Sequence, residues 1–585
     1  MPHPLREGRD DVQDHREYDA TVDVFAGEAT PDPSSPVKFN FSWRKLWRFA
    51  GPGWLMSLAY LDPGNLEGDL QQGAYTGLQL TWVLFWATVM GLILQEMSAR
   101  LGLVTGCDLA QSVRAYYPRW LCYTVYVMME IAVIGADIQE VVGSGIALKI
   151  LFGIPVWVGC LITGFDTFTF LIVQYAGIRY LELMICTLIG TMAICFFVNW
   201  GQANTDTTAL FEGWVVPMLP SYALTQAVGT IGAVIMPHNL YLHSGLVLSR
   251  KIKRESPNRV YAAIWYSRIE AAVALLFSFF INLAIIAANA NPFYNQTCAE
   301  LDGGPYACLL PSDVASSSGD DCDLPVTPCV QPASGLYGVC DEIGLDVEGD
   351  AMASSMGASA KYIWAVGLLA AGQSSTMVCT YAGQIIMGGC LQIELAPWKR
   401  VAITRIFALG PALAVALSTV SNTKLFNNIN EYLNILQSVQ LPFAMLPVLH
   451  FAYSKRLLGR FASGPKLFAV SCALAFVVLA VNVLLIVQFL QDPPVEEQGA
   501  EADYTLPPWV MLLVSVYGIV YFGVCLRMMD SEVISLVRWA QRALGLAAPK
   551  PQLPRELHGV QLSEARGRDE VTATSSSGAK NGPVC

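Results

Sequence analysis

The sequence predicts an all-α integral membrane protein with twelve membrane-spanning helices. Of its 585 residues, 54% are hydrophobic and only 14% are charged, and the mean hydropathy is +0.44. Apolar runs of about 20 residues, enough to cross a hydrocarbon layer of about 30 Å, recur along the chain. Two of these runs are interrupted by proline beside polar residues, at LDPGN (61–65) and MPHN (236–239). Polar breaks inside a membrane are costly unless they bind something, so they indicate an ion site.

The apolar runs place the spans and divide them into two sets. The predicted spans lie at about 46–76, 79–102, 120–150, 155–175, 180–200, 222–250, 261–290, 360–392, 399–420, 428–453, 467–491 and 507–529. The first and sixth spans carry the breaks, and each is the first of a run of five. This pattern predicts an inverted repeat, with repeat one at about 46–200, repeat two at about 222–453, and two additional helices at 467–529.

Basic residues predict the orientation. Three of the five residues from 44 to 48 are Lys or Arg, and further basic residues fill the connections at 250–259, 399–400 and 455–466. All four segments lie on the face that carries the N-terminus, which the positive-inside rule makes cytoplasmic. Because the number of spans is even, we expect both termini in the cytosol.

The two ends of the chain are polar. Residues 1–42 and 531–585 are rich in Pro, Ser, Gly and charged residues and lack long apolar runs. They are predicted to be disordered cytoplasmic tails, on either side of a transporter domain at 43–530. The predicted location is the plasma membrane or an endosomal or vacuolar membrane.

The opposite face carries a long acidic loop. Residues 292–357 contain eleven Asp or Glu and no Lys or Arg, together with five of the fifteen cysteines, Cys298, Cys308, Cys322, Cys329 and Cys340. On an oxidising side of the membrane we expect two disulfides and one remaining thiol. A metal site is the less favoured alternative, because the spacings lack a C-x-x-C pair. Asn295 begins the sequon NQT and is a predicted glycosylation site.

The two breaks supply candidate metal ligands. Because proline has no N–H, Pro63 frees the carbonyl of Ala59 and Pro237 frees the carbonyl of Ala233. The ligand side chains beside these carbonyls are Asp62, Asn65 and Met236. Carboxylate and amide oxygens bind most divalent cations, whereas a thioether favours softer ions such as Mn²⁺, Fe²⁺, Co²⁺ or Cd²⁺ over Ca²⁺ or Mg²⁺. A single proline kink beside a methionine is usually structural, but two at matched positions with a carboxylate favour a site.

Titratable residues inside the membrane suggest a proton relay. Asp137 and Glu140 share one face of the third span, and Glu130 lies about two turns earlier. His238 and His243 follow the second break. A buried histidine is often a hydrogen-bonded structural group, so the histidines remain open between the two roles.

The motifs resemble those of a known family. LDPGN at 61–65 and GAVIMPHNLYLHS at 232–244 are similar to the signature helices of the natural resistance-associated macrophage protein (Nramp) family of proton-coupled divalent metal transporters. Further similar segments follow in the family's order, SARLGLVTGCDLA at 98–110, GADIQEVVGSGIA at 135–147, AAGQSSTM at 370–377, TYAGQ at 380–384 and QSVQLPFA at 437–444. The resemblance covers about 45–530 and is stronger for the eukaryotic branch. It implies a LeuT-like inverted repeat of 5+5 helices plus two C-terminal helices.

The resemblance also implies roles for individual residues. The metal ligands would be Asp62, Asn65, Met236 and the carbonyl of Ala233, with the carbonyl of Ala59 in one conformation and the carboxamides of Asn434 and Gln437 on the tenth span. Protons would pass from Asp62 to the acids of the third span, close to Arg405 on the ninth.

The expected function is therefore a symporter and not an enzyme. It would move Mn²⁺ or Fe²⁺, and also Cd²⁺ or Co²⁺, into the cytosol with protons by alternating access. Its partners would be these ions and the lipid bilayer, with no cofactor and no nucleic acid, and we expect a monomer. Two alternatives are a related transporter of another metal such as Mg²⁺, and a metal sensor or receptor with the same fold. Sensors of this kind append a large soluble domain, whereas this C-terminal tail has only about fifty residues. An enzyme would need a motif such as H-E-x-x-H near the breaks, which the sequence lacks.

Overall fold

The helices and strands follow the predicted order of spans. The computed structural model describes residues 22–25, 39, 41–176, 178–301, 304–315, 327–331, 334–392, 397–418, 423–491 and 508–529. The helices of the first half are α1 Trp43–Phe49, α2 Pro52–Leu58, α3 Pro63–Thr76, α4 Thr81–Thr105, α5 Leu109–Tyr116, α6 Arg119–Phe152, α7 Val156–Ala176, α8 Ile178–Gln202, α9 Thr207–Val215, α10 Leu224–Val234 and α11 Pro237–Leu246. Those of the second half are α12 Pro257–Phe293, α13 Gln296–Ala299, α14 Pro311–Ala315, α15 Leu345–Met356, α16 Ala358–Leu391, α17 Pro397–Ser418, α18 Thr423–Gln440, α19 Pro442–Tyr453, α20 Lys455–Leu458, α21 Pro465–Gln491 and α22 Pro508–Met528.

The predicted α-helical membrane fold is confirmed. Within the described residues, nine helical segments are long and apolar enough to cross a membrane. They correspond to all the predicted spans except the first, fourth and ninth. The first span is the broken pair α2 and α3, and the fourth and ninth contain the shorter apolar stretches Val156–Asp166 and Arg405–Leu417. Each of the twelve predicted spans is thus represented by a helix or by a pair of half-helices.

The two broken spans have matching geometry. Helix α2 ends at Leu58 and α3 begins at Pro63, whereas α10 ends at Val234 and α11 begins at Pro237. Both second halves therefore begin at the proline, where the missing N–H costs no helical hydrogen bond. Each break leaves two helix ends inside the protein, and their unpaired backbone groups point into the space between the repeats.

The acidic loop contains a small disulfide-linked sheet. Its strands are β3 Ala307–Leu309, β4 Pro328–Val330 and β5 Tyr337–Asp341, with β5 in the centre and antiparallel to both neighbours. Disulfides join Cys298 to Cys340 and Cys308 to Cys329. These are two bridges, as predicted, and Cys322 lies outside the described residues. Below, the side of the protein that carries this sheet is called the loop face, and the opposite side the N-face.

The predicted glycosylation site lies at the edge of this sheet. The Asn295 side chain caps α13 by accepting a hydrogen bond from the N–H of Thr297, and its Nδ2 donates to the carbonyl of Val330 at 3.1 Å. Glycosylation of Asn295 would replace one N–H donor of this amide. The glycosylation itself stays a prediction.

Part of the predicted N-terminal tail is ordered on the N-face. Strand β1, Val22–Asp23, pairs in parallel with strand β2, Arg250–Lys251. Val24 and Phe25 are buried in an apolar cluster with Phe49 and other residues of the N-face. The prediction of disorder is therefore wrong for these four residues, because two apolar side chains find a matching recess that composition alone does not reveal. The C-terminal tail lies outside the described residues.

Gly232 allows α10 to approach α18 closely. A Cβ atom at position 232 would lie 2.3 Å from the backbone oxygen of Asn434, so any side chain there would push the two helices apart. Gly229, on the same helix, has nothing within 4 Å of its hypothetical Cβ.

We predict that Gly232→Ala destabilises the protein and that Gly229→Ala does not. The overpacked methyl group of Gly232→Ala should lower the free energy of unfolding by about 1–3 kcal/mol. The better helix propensity of alanine should raise it by up to about 1 kcal/mol in both variants. Thermal unfolding of the purified protein in detergent measures the difference. Equal midpoints for the two variants would contradict the close approach of α10 and α18.

Candidate metal centre

The carboxylate of Asp62 caps the second half of the first span. Asp62 is the N-cap of α3, and its Oδ1 accepts a hydrogen bond from the N–H of Asn65 at 2.7 Å. The side chain is thereby fixed at the break, with only 1% of the residue exposed. Its carboxylate lies at the positive end of the helix dipole.

Asn65 connects the two breaks. Its Nδ2 donates to Asp62 Oδ1 at 3.0 Å and to the carbonyl oxygen of Ala233 at 2.9 Å. The Asn65 Oδ1 is buried and has no hydrogen-bond partner among the described residues. Two oxygens, one from each break, therefore meet around one amide nitrogen, and the unpaired oxygen of the same amide lies beside them. A cation in place of the N–H groups would satisfy the same acceptors.

The remaining predicted ligands lie at the ends of the half-helices. Met236 is the N-cap of α11, is 2% exposed and packs against Ala136 and Cys379. Ala59 is the C-cap of α2 and is also 2% exposed. The thioether and the oxygens of the breaks are thus all buried from solvent.

The two carboxamides of the tenth span lie at different distances from the breaks. Asn434 Nδ2 donates to the carbonyl of Gly64 at 3.2 Å, and Asn434 Oδ1 accepts from Gln139 Nε2 at 2.9 Å. Gln437 instead donates to the carbonyl of Ala132 on α6 at 2.8 Å, with its Oε1 unpartnered. Asn434 contacts the first break directly, whereas Gln437 is engaged with the third span.

The predicted relay residues are held by one arginine. Arg405 Nη1 contacts Asp137 Oδ1 at 2.7 Å, and its Nη2 donates to the carbonyl of Thr376 at 2.6 Å and to the hydroxyl of Thr380. Both charged side chains are at least 95% buried. A buried ion pair of this kind is strongly favoured over either charge alone.

Glu140 and His238 lie beside this pair. One oxygen each of Asp137 and Glu140 and the Sγ of Cys379 lie within 4.8 Å of one another. The Nε2 of His238 lies 3.4 Å from the same Sγ. The structure therefore brings the relay residues of the third span next to the second break. Glu130 is partly buried, two turns towards the N-terminus of α6.

Three nearby residues were not predicted from the sequence. Gln139 bonds to Asn434, Gln95 Oε1 accepts a hydrogen bond from Nδ1 of His243 at 2.8 Å, and Cys379 contacts His238. His243 is thus hydrogen-bonded within the core, in agreement with its structural interpretation. A glutamine or cysteine inside an apolar helix gives little signal, because its partner is far away in the sequence.

Polar contacts close the site towards the loop face. Thr230 Oγ1 donates to Gln72 Oε1 at 2.9 Å, and Gln226 Nε2 donates to Gln71 Oε1 at 3.1 Å, so α10 is tied to α3. In addition, the Asn430 amide of α18 donates to the carboxylate of Glu67 on α3.

A second set of contacts closes the N-face. The carboxylate of Glu270 accepts from the N–H groups of Gly51 and Gly53, at the start of α2. Arg250 contacts Glu182 at 2.8 Å and donates to the carbonyl of Ala50 at 2.7 Å. Both sets of contacts are formed in this structure, so that α3 is tied to α10 and the start of α2 to α12.

Comparisons with known proteins agree with this arrangement. Residues 53–306 and 334–488 match the family model described as natural resistance-associated macrophage protein-like. The chain is 41% identical over 505 residues to the metal transporter Nramp2 of Oryza sativa subsp. japonica, covering 86% of this chain and 87% of the relative. It is 42% identical over 462 residues to the metal transporter nramp1 homolog of Dictyostelium discoideum, covering 78% of each.

Solved structures agree as well. Crystal structures of the manganese transporter of Eremococcus coleocola superpose with TM-scores of 0.65 and 0.66 at 25% identity. The first covers 86% of this chain and 98% of the bacterial protein. The variants crystallised carry a histidine-to-alanine and a glutamate-to-glutamine substitution.

Proposed function

Because the chain belongs to the Nramp family of metal transporters, which are not enzymes, we propose that it carries Mn²⁺ and Fe²⁺, together with protons, into the cytosol. Transport of divalent metals across a membrane by a LeuT-like fold is the shared property of this family. The choice of metal, the coupling to protons and the direction are our proposals for this chain.

The donor set at the two breaks carries the proposal. Asp62, Asn65 and the carbonyl of Ala233 already converge through one amide, and the Asn65 Oδ1 lacks a partner. Met236 adds a thioether, and Asn434 or the carbonyl of Ala59 can complete the shell after a small movement. One carboxylate, neutral oxygens and a sulfur suit Mn²⁺, Fe²⁺, Co²⁺ and Cd²⁺ better than Mg²⁺ or Ca²⁺.

Proton coupling is proposed from the groups beside the metal ligands. A proton displaced from Asp62 by the metal would move to Glu140 or His238 and then towards Asp137 and Glu130. Arg405 holds Asp137 in position and balances its charge. The divalent ion and the proton then lie on neighbouring acidic groups. Each positive charge compensates part of the negative charge that is buried at the site.

Alternating access follows from the two closed sides. The contacts of Gln71 and Gln72 with α10 must break to open the loop face, and the contacts of Glu270 and Arg250 with the start of α2 must break to open the N-face. Because each break separates two half-helices, either half can tilt without bending an intact helix. We propose that the two sets open in turn, with the metal entering from the loop face.

Orientation and assembly are part of the same proposal. Basic residues on the N-face support a cytosolic location for both termini, and the disulfides support a loop face on the oxidising side of a plasma, endosomal or vacuolar membrane. A single chain contains both repeats and all the proposed ligands, so we propose that a monomer transports.

Uptake into proteoliposomes tests the function. With an inward proton gradient, the protein should take up Mn²⁺ but not Mg²⁺, and Asp62→Ala should abolish uptake because it removes the formal charge of the site. Asp69→Asn, a buried acid two turns along α3, is the matched control for loss of a carboxylate and should keep measurable uptake. Mg²⁺ uptake equal to that of Mn²⁺ would favour the alternative of a magnesium transporter.

Met236→Ala should change selectivity more than stability. The remaining oxygens accept Ca²⁺ as readily as Mn²⁺, so the preference for Cd²⁺ over Ca²⁺ should fall by about tenfold or more while Mn²⁺ still moves. Competition of Ca²⁺ and Cd²⁺ against Mn²⁺ uptake measures this preference. Met129→Ala, which removes a buried methionine from α6, controls for packing. An equal fall of all rates with unchanged selectivity would assign Met236 to packing.

Glu140→Gln should separate metal binding from proton transport. The amide keeps the shape of the side chain but cannot accept a proton, so metal binding should persist while uptake loses its dependence on external pH. Metal-evoked acidification inside the liposomes is the measurement. The control is Glu96→Gln, which changes an acid of α4 that forms an ion pair with Arg268 of α12. Unchanged proton flux in Glu140→Gln would remove this residue from the relay.

A further inference from the structure

Cys379 lies where the metal ligands and the relay meet. It is fully buried on α16, packs against Met236, and has its Sγ 3.4 Å from Nε2 of His238. The carboxylates of Asp137 and Glu140 each place an oxygen within 4.8 Å of this sulfur. Thiol, imidazole and carboxylate from three different helices thus surround one small volume.

Two of these groups lack partners. His238 Nδ1 and Glu140 Oε2 have no hydrogen-bond partner among the described residues, although both residues are at least 98% buried. Asp137 differs, because Arg405 already contacts one of its oxygens. A buried, unpaired carboxylate oxygen beside a thiol and an imidazole is unfavourable without a ligand.

The spacing suits a tetrahedral ion. A Zn²⁺ ion with Zn–S of about 2.3 Å and Zn–N of about 2.0 Å holds its sulfur and nitrogen ligands about 3.5 Å apart. The observed separation between Cys379 Sγ and His238 Nε2 is 3.4 Å. The carboxylate oxygens of Asp137 and Glu140, which lie within 4.8 Å of the sulfur, would have to move closer to complete a tetrahedral shell.

We propose that Cys379, His238 and Glu140 form a second metal site, with Asp137 as a fourth ligand, that takes thiophilic divalent ions such as Cd²⁺ and Zn²⁺. The ion binds the thiolate, and the thiol proton is released. This site differs from the one at Asp62, because it uses α6, α11 and α16 and contains a thiolate where the first contains a thioether.

The second site has a consequence for transport that rests on the proposed function. An ion bound there occupies Glu140 and His238, so these groups can no longer carry protons. Cd²⁺ and Zn²⁺ should therefore inhibit proton-coupled Mn²⁺ uptake from a position that Mn²⁺, a harder ion, fills poorly.

Metal binding tests the site without relying on transport. Full-length protein in detergent is titrated with Co²⁺ and with Cd²⁺, in the background of Asp62→Ala to weaken the first site. We expect one Cd²⁺ per chain by calorimetry and the intense near-ultraviolet absorption of a Co²⁺–thiolate bond. Cys379→Ser should remove both, with Cd²⁺ affinity falling more than about tenfold, whereas Cys195→Ser, at a buried thiol on α8, should change neither.

The controls keep the outcomes distinct. Cys379→Ala is a second variant in case the serine hydroxyl disturbs folding, and equal thermal midpoints establish that each variant is folded. A thiolate band that persists in the folded Cys379 variants, or Cd²⁺ binding that does not change, would overturn the site. Binding at Cys379 in a protein that fails to transport Mn²⁺ would leave this inference standing and refute the proposed function instead.

The inhibitory role has its own measurement. In proteoliposomes containing the otherwise unchanged protein, Cys379→Ser should weaken inhibition of Mn²⁺ uptake by Zn²⁺ by about tenfold or more, with inhibition expressed relative to the Mn²⁺ rate of each protein without Zn²⁺. Unchanged inhibition would overturn that role.

Discussion

The rest of the structure depends on the requirement that polar groups inside a membrane have partners. The two prolines free backbone groups where no water can reach them, and Asp62 adds a charge at the first break. The structure meets part of this requirement internally, since Asn65 joins Asp62 to the carbonyl of Ala233. The remaining unpaired group is the Oδ1 of Asn65, which the metal ion that we propose would satisfy. The site is therefore a consequence of how the helices are broken.

The same constraint explains why the closing contacts are polar. An apolar contact between helices in a membrane adds little stability, because each side chain only exchanges apolar lipid for an equally apolar neighbour. Hydrogen bonds between α3 and α10, and between Glu270 and the start of α2, hold the closed arrangement but can be exchanged for bonds to water when one side opens. The seals are thus reversible at low cost. The N-terminal residues Val24 and Phe25 add an apolar contact on the N-face, where water makes such burial favourable.

The sequence predicts features whose signals are local. The spans, the two breaks and the candidate ligands Asp62, Asn65 and Met236 all follow from composition and from proline within an apolar run, and the structure joins the two breaks through Asn65. Features that depend on distant partners were not predicted. Cys379 is an ordinary residue of an apolar helix until α6 and α11 are placed beside it, and the bond of Gln437 to the carbonyl of Ala132 gives no signal in the sequence. The order of residues 22–25 was missed for the same reason, since β2 lies more than 200 residues away.

The proposed metal ligands and the proposed relay residues share a helix, α11. Met236 begins α11, and His238 lies two residues later in its first turn. Any movement of α11 that withdraws the thioether from the metal therefore also moves the imidazole relative to Glu140 and Cys379. Helix α6 contributes the opposite wall, with Ala136 against Met236 and Asp137 fixed by Arg405. Because the arginine holds the wall in place while the half-helix moves, a displacement at one site changes the distances at the other. No long chain of contacts is needed to connect them.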